Sequence, residues 1–470
     1  MIRQLLRDSA VYLLPNLLAR GIGLLLLPVY TRYLSPADYG VVELLAVLYA
    51  LLNVVLPLEI SQAVARFSAD AKDNEEKSCL VSTAFWFTAV AFAIWFAVTV
   101  LFPLELSGAI LGVEGDRYLL PTAAAAMLAN ALLYLAMNQL RWNLQQIPYL
   151  VVSVLFAIIT AMVSVTLIVG FGFGVYGMIW GQLTGSAAAL IAAAVYLAGT
   201  SPIAARFSSA ELKAQLEFSA PLVLSSLAVY LTTYTDRWLV SIWVGLDGVG
   251  VYSVALRIAS VLAVATSSVQ LALTPLIYSR YRELGTPDAI RKFFQYYLFG
   301  AFSLVVAVGI FAAEIITLVA GPRFHGAHEI VVPVMLATLL MSLNVFSPGL
   351  ALAKRTGRIA IANVSGAILN IALGLWLIPV FGLIGAATSN LAAAALIMML
   401  RFAWSQRHYF IPYRWPRYAM TFAVLSLVLL LAGTQSLSVL ARLTLALAGI
   451  ASFAMLLISQ NPAPVAAERN

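Results

Sequence analysis

The feature that most restricts this chain is a series of apolar runs, repeated from one end to the other. Each is close to the roughly 20 residues that a helix needs to cross bilayer hydrocarbon. The runs are read as 11–30, 41–62, 81–102, 119–137, 148–168, 175–198, 215–235, 249–277, 293–319, 330–350, 359–379, 382–403, 417–433 and 439–458. Charged residues make up only 10% of the chain, against about 25% in a typical soluble domain. The chain therefore lacks the side chains to cover a water-facing surface, and its loops are too short to hold a globular module. The reading is an all-α integral membrane protein of about 14 transmembrane helices. The first run, Val11 to Tyr30, has no small-residue cleavage site and leads into further spans, so it reads as a membrane helix and not a removable signal. The longest run, 249–277, has length to spare for tilt, and Pro275 suits a helix that stops or bends there.

Basic residues orient the spans. Of the 27 Lys and Arg, five fall on one side of the alternating loops: Arg32, Arg117, Arg237, Arg323 and Arg442. Arg20 and Arg257 lie inside spans, and the remaining twenty fall on the other side together with both termini. Short cytoplasmic loops carry the excess of Lys and Arg, which predicts cytoplasmic N- and C-termini. An odd number of spans would invert part of the map and spoil this bias. The net charge of +7 is thus orienting charge spread over short loops, and nucleic acid is not an expected partner.

The first six spans and the next six look like repeats. Pro15 and Pro221, Gly40 (in Tyr39-Gly40-Val41) and Gly250 (in Val249-Gly250-Val251), and Gly174 and Gly382 stand 206, 210 and 208 residues apart, each pair at matching places in its half. Coincidence between two apolar, glycine-rich stretches is the alternative. A displacement of six spans keeps orientation, so the repeats would be parallel, related by an axis along the membrane normal. The resulting division is a six-helix lobe over 1–200, a second over 201–410, two additional helices within 411–460 and a short cytoplasmic tail over 461–470. A carrier built this way holds its substrate at the seam and rocks one half against the other.

Two charges sit where the membrane should exclude them. Arg20 is midway through the first span, and Arg257 is eight residues into the eighth. At such depth an arginine costs at least about 2.5–3.5 kcal/mol unless it faces a polar cavity or a partner. One reading is structural, with each arginine paired to a carboxylate or to backbone carbonyls. The other has both lining a cavity and binding an anion, because a guanidinium matches phosphate oxygens in bidentate fashion. Glu59 and Arg66, near the cytoplasmic end of span 2, and Arg237, at the outer end of span 7, are secondary candidates for substrate contact. Glu59 is not central enough to mark a proton or sodium site, and Asp236-Arg237 also reads as an interfacial anchor.

Other chemistries find no support in the sequence. There is no G-x-x-x-x-G-K-[ST] loop to hold ATP. A single cysteine, Cys79, excludes an internal disulfide and a thiolate metal cluster. His325 and His328 stand beside one carboxylate, a weak basis for a metal site. No catalytic pair of carboxylates stands out on the loops, so the chain does not read as an enzyme. No bound cofactor is expected, and coupling to a proton or sodium gradient is left open.

The segment Leu27-Pro28-Val29-Tyr30-Thr31-Arg32-Tyr33-Leu34-Ser35-Pro36-Ala37-Asp38-Tyr39-Gly40, followed by Asp236-Arg237, Gly250-Val251-Tyr252-Ser253 and Ala320-Gly321-Pro322-Arg323-Phe324, resembles the polysaccharide and O-antigen flippase branch of the multidrug/oligosaccharidyl-lipid/polysaccharide exporter superfamily. The resemblance covers essentially the whole chain. It implies movement of a polyprenyl-pyrophosphate-linked oligosaccharide across a bacterial cytoplasmic (inner) membrane, for synthesis of a surface polysaccharide such as O-antigen of lipopolysaccharide. It also implies a cationic cavity, to which Arg20 and Arg257 would belong by position, and a lipid-tail groove near the end of the chain. Bilayer lipids, glycosyltransferases and a polysaccharide polymerase are the partners it suggests. The rival readings are a multidrug-type exporter, disfavoured because the deepest charges are basic, and a scaffold for glycosyltransferases that transports nothing.

Overall fold

Local chemistry sets the helix starts. Ser35 and Asp38 form a reciprocal capping box: the Asp38 N–H donates to Ser35 Oγ at 3.1 Å, and the Ser35 N–H to Asp38 Oδ2 at 3.0 Å. Pro36 takes the first helical position, where its missing N–H costs nothing. Asp73 and Ser208 cap later helices through the N–H groups of Glu76 and Glu211. In the computed structural model, which describes residues 21–71, 73–200 and 203–416 and a few isolated positions beyond them, these starts open long apolar helices. The order is α1 (21–33), α2 (Pro36–Val55), α3 (Ile60–Ser68), α4 (Asn74–Leu101), α5 (Pro103–Leu111), α6 (Leu119–Trp142), α7 (Gln146–Val165) and α8 (Gly174–Leu197). There follow α9 (Ser209–Trp243), α10 (Leu246–Arg280), α11 (Thr286–Ile310), α12 (Ala312–Ala320), α13 (His328–Ser342), α14 (Gly349–Leu352) and α15 (Thr356–Gln406).

Among the described residues, 10 helical segments are long and apolar enough to cross a membrane. One of them, α15, is two helices joined at Gly382, where φ is 57° and ψ −129°. The two arms fold onto each other: a Cβ at Gly366 would strike Ile397, and one at Gly385 would strike the backbone of Leu377. α7 and α8 make the same hairpin, with Gly181 and Gly185 against Ser164 and Thr160, and α8 begins at Gly174 with φ 53°. Small residues let these backbones approach closely. Outward-facing side chains such as Ile94, Val195 and Ile368 are exposed and apolar, as a lipid-facing surface requires.

The repeat anchor at Gly40 and Gly250 has a structural meaning. α2 and α10 cross there reciprocally: a Cβ on Gly40 would collide with the carbonyl of Leu246, and one on Gly250 with the carbonyl of Pro36. Pro36 and Leu246 are separated by the same 210 positions as the two glycines. The pairing is that of a pseudo-twofold contact. The largest buried apolar cluster spreads from this crossing through α1, α2, α10, α11 and α13, and includes Leu27, Leu44, Tyr252, Phe294 and Met335.

Several span boundaries differ from the sequence reading. Span 2 is broken into α2 and α3 around Pro57, where Leu58 and Glu59 adopt φ of 50° and 55°. Span 9 is divided into α11 and α12, and span 10 stops at Ser342 before a 3-10 turn over Leu343–Phe346. α10 continues past Pro275 to Arg280. α9 extends to Trp243, eight residues beyond its expected end at 235. Arg20, Pro15 and most of the last two spans and the tail lie outside the described residues.

Candidate functional site

The α2–α10 crossing creates the site. One turn inward from Gly40, Glu43 points from α2 toward α10, where Arg257 lies two turns past Gly250. Arg257 Nη2 donates to Glu43 Oε1 at 2.8 Å, joining residues 214 positions apart. Glu43 is nearly buried, with 12% of its side chain exposed, while Arg257 keeps 40% of its own accessible. Tyr39 and Tyr30 stand within electrostatic reach of the guanidinium. α1 backs it closely, since a Cβ on Gly23 would lie 3.1 Å from Arg257 Nη1.

Arg237 joins the same neighbourhood from α9, and Glu43 feels its charge as well as that of Arg257. The helix continues six residues beyond Arg237 to Trp243, and 13% of the Arg237 side chain is exposed. Nη1 donates to the Thr233 carbonyl at 2.8 Å and reaches Asp236 Oδ1 at 3.4 Å, and the guanidinium carbon stands 5.2 Å from the Tyr234 ring centroid. Asp236, 2% exposed, accepts hydrogen bonds from Tyr252 Oη at 2.8 Å, Asn390 Nδ2 at 3.1 Å and the Arg237 N–H at 2.9 Å.

The structure thus pairs Arg257 with Glu43 and Arg237 with Asp236, and leaves the other described candidates elsewhere. Glu59 occupies a left-handed position before α3, at a small recess shared with Asn53, Ser61 and Thr88. Arg66 is exposed and paired with Asp70, just past the end of α3. Glu43 is the residue that the sequence reading passes over. It falls two places inside the expected span, whereas a helix beginning at Pro36 carries it two turns deep. A carboxylate in an apolar run is costly without a partner, and that cost was the available signal.

Cavities open on both sides of this cluster. One of about 280 Å³ is lined by Tyr30, Tyr49, Asn130, Thr160, Ser164 and Gln182, with no charged group among the described residues of its wall. The other, of about 380 Å³, is lined on α9 by Asp236 and Arg237 and on α15 by Asn370 and Asn390. A third, of about 340 Å³, has apolar described walls and lies among α1, α10 and α11, with Leu24, Pro28, Val261 and Leu304 lining it. A cavity with polar lining thus opens within each half, and an apolar one lies beside α1. This arrangement suits a polar or charged head group attached to an apolar tail.

The architecture is an all-α bundle whose long helices are apolar enough to cross a membrane. It is similar to the lipid II flippase MurJ in an inward closed conformation, with a TM-score of 0.75 over 94% of this chain and 97% of that one at 14% identity. It is also similar to an inward-facing multidrug resistance MATE family transporter of the MOP superfamily, with a TM-score of 0.65, 18% identity and coverage of 85% of this chain and 94% of that one. An outward-facing form fits at 0.55, with 16% identity over 86% of this chain and 97% of that one. No curated protein matches in sequence. Residues 5–280 match the polysaccharide biosynthesis protein family, and the chain belongs to that family.

Proposed function

We propose that this protein is a flippase for a polyprenyl-pyrophosphate-linked oligosaccharide. It would carry the lipid from the cytoplasmic to the outer leaflet of a bacterial inner membrane, for synthesis of a surface polysaccharide such as O-antigen. The observation that carries this reading is the Arg257 guanidinium, 40% accessible, held on the nearly buried Glu43 at the crossing of two repeat-related helices. A pyrophosphate entering the membrane must exchange its hydration for charged donors. Carboxylate and phosphate are interchangeable acceptors for a guanidinium, so Glu43 would hold Arg257 until substrate takes its place. Arg20, three residues before Gly23 in sequence, is assigned to the same anion site.

The lobes 1–200 and 201–410 would rock about this seam, with 411–460 appended. The better fit to the inward-facing relative accords with a tight α2–α10 crossing at the outer end. Both termini are then cytoplasmic. No bound cofactor is invoked. Glycosyltransferases and a polymerase would deliver and consume the substrate.

Purified protein in liposomes should move defined lipid-linked sugars between leaflets, read by leaflet-resolved labelling. Unchanged leaflet distribution would favour a scaffold, and uptake of cationic amphiphiles alone would favour a multidrug exporter. Proton or sodium gradients imposed on the same liposomes identify the driving force.

A further inference from the structure

The cavity of about 380 Å³ beside Asp236 and Arg237 falls within the roughly 300–1,000 Å³ of small-molecule sites, and its hydrogen-bonding inventory is unbalanced. Thr232, Thr233 and Thr338 line it, and each hydroxyl donates to a carbonyl one turn back, those of Ala228, Val229 and Val334, at 2.8–2.9 Å. With those hydrogens spent, the three oxygens remain available only as acceptors. Asn370, 3% exposed, adds a buried Oδ1 that has no hydrogen-bond partner. On the donor side, Arg237 Nε is likewise buried and unpartnered. A buried polar atom left unsatisfied costs about 1–3 kcal/mol, so this wall gains from a guest that brings several hydroxyl donors and an acceptor.

Charge narrows the choice further. Asp236 already receives Tyr252 Oη, Asn390 Nδ2 and the backbone and guanidinium N–H groups of Arg237, which occupies the roughly four acceptor sites of a carboxylate. A cation entering the cavity would find that carboxylate saturated and would meet the Arg237 guanidinium. An anion would meet Asp236, whose charge balances that of Arg237 at 3.4 Å, and several lone pairs. We infer that this cavity is a subsite for one uncharged, hydroxyl-bearing sugar unit of the transported glycan, held by Thr232, Thr233, Thr338, Asn370 and Arg237. The inference rests on the flippase reading and adds a recognition element for the sugar, separate from the pyrophosphate site at Arg257.

The test compares three lipids on the full-length protein in nanodiscs: polyprenyl diphosphate alone, the same lipid carrying one neutral hexose, and the same lipid carrying a hexuronate. The neutral sugar should tighten binding by roughly tenfold over the bare lipid, the worth of one or two satisfied hydrogen bonds. That ratio should fall to about two or less in N370L and in T338V, measured against each variant's own binding of the bare lipid. T338V changes few atoms and carries the test if N370L does not fold. Equal binding of bare and hexose-bearing lipid by the wild type would overturn the subsite while leaving the flippase reading intact. No binding of any of the lipids would overturn both. A ratio unchanged in the variants, or tighter binding of the hexuronate than of the neutral sugar, would overturn the assignment. So would a sodium-dependent rise in melting temperature that N370L abolishes, which would make the cavity a cation site.

Discussion

At the scale of single residues, the Arg257–Glu43 pair poses a question that substitutions answer by sign. If Arg257 binds the substrate's pyrophosphate, R257A should weaken binding of polyprenyl-pyrophosphate lipids by roughly 10- to 100-fold, the worth of hydrogen bonds to a charged group. R257K keeps the charge but loses the planar fork, so its loss should be smaller. E43Q should act in the opposite direction and tighten binding, because it removes the competing acceptor 2.8 Å from Arg257. A pair that serves only to hold α2 on α10 predicts something else. Both single substitutions would then lower the melting temperature and binding alike, and the double substitution would recover part of the loss. Titration of folded, purified variants with the lipid separates the two cases. E43Q binding as poorly as R257A would sink the substrate role. The sequence alone exposed Arg257 through the cost of its depth. It did not identify the partner, because a partner 214 positions away is fixed by how two helices cross and by no local pattern.

At the scale of elements, glycines act by two kinds of physics. Gly40 and Gly250 have ordinary helical backbones, and their role is space: each lies against a carbonyl of the opposing helix. A methyl group at either position should force α2 and α10 apart at a cost of about 1–3 kcal/mol, shifting the protein toward the state in which this end is open. Spin labels at Ala37 and Asp247 should report a longer distance in G40A and in G250A, and an unchanged distance would show that the crossing relaxes around the methyl. Gly382 is the reverse case. No atom lies within 4 Å of where its Cβ would stand, yet φ 57° with ψ −129° is a conformation that other residues adopt at a cost of roughly 1–3 kcal/mol. G382A should lower the thermal unfolding midpoint in detergent, and wild-type stability would show that the joint between the two arms of α15 can take another conformation. The glycine offsets that mark the repeat in the sequence, 210 and 208 residues, correspond to these two structural events, a crossing and a hairpin apex.

At the scale of the whole molecule, the charge distribution predicts sidedness. In a background where Cys79, the one cysteine, is replaced by serine, cysteines introduced singly at Ser35, Gly112 and Gly248 should react with an impermeant reagent from outside. Those at Asn74 and Gly285 should not. Outside labelling at Asn74 would reverse the assignment of both termini to the cytoplasm. By itself the sequence determined the class of protein, the approximate position of the spans and the glycines that pair the halves. Hydropathy, capping chemistry and backbone strain are local properties, and each can be read from a short window of residues. Tertiary structure decided that span 2 breaks at Pro57, that Arg237 packs beside Asp236 with little exposure, and that Glu43 meets Arg257. Those outcomes depend on the rotational phase and crossing of helices packed against one another. A carboxylate on an apolar helix announces that it needs a partner, and only the packing of the faces says which one it finds.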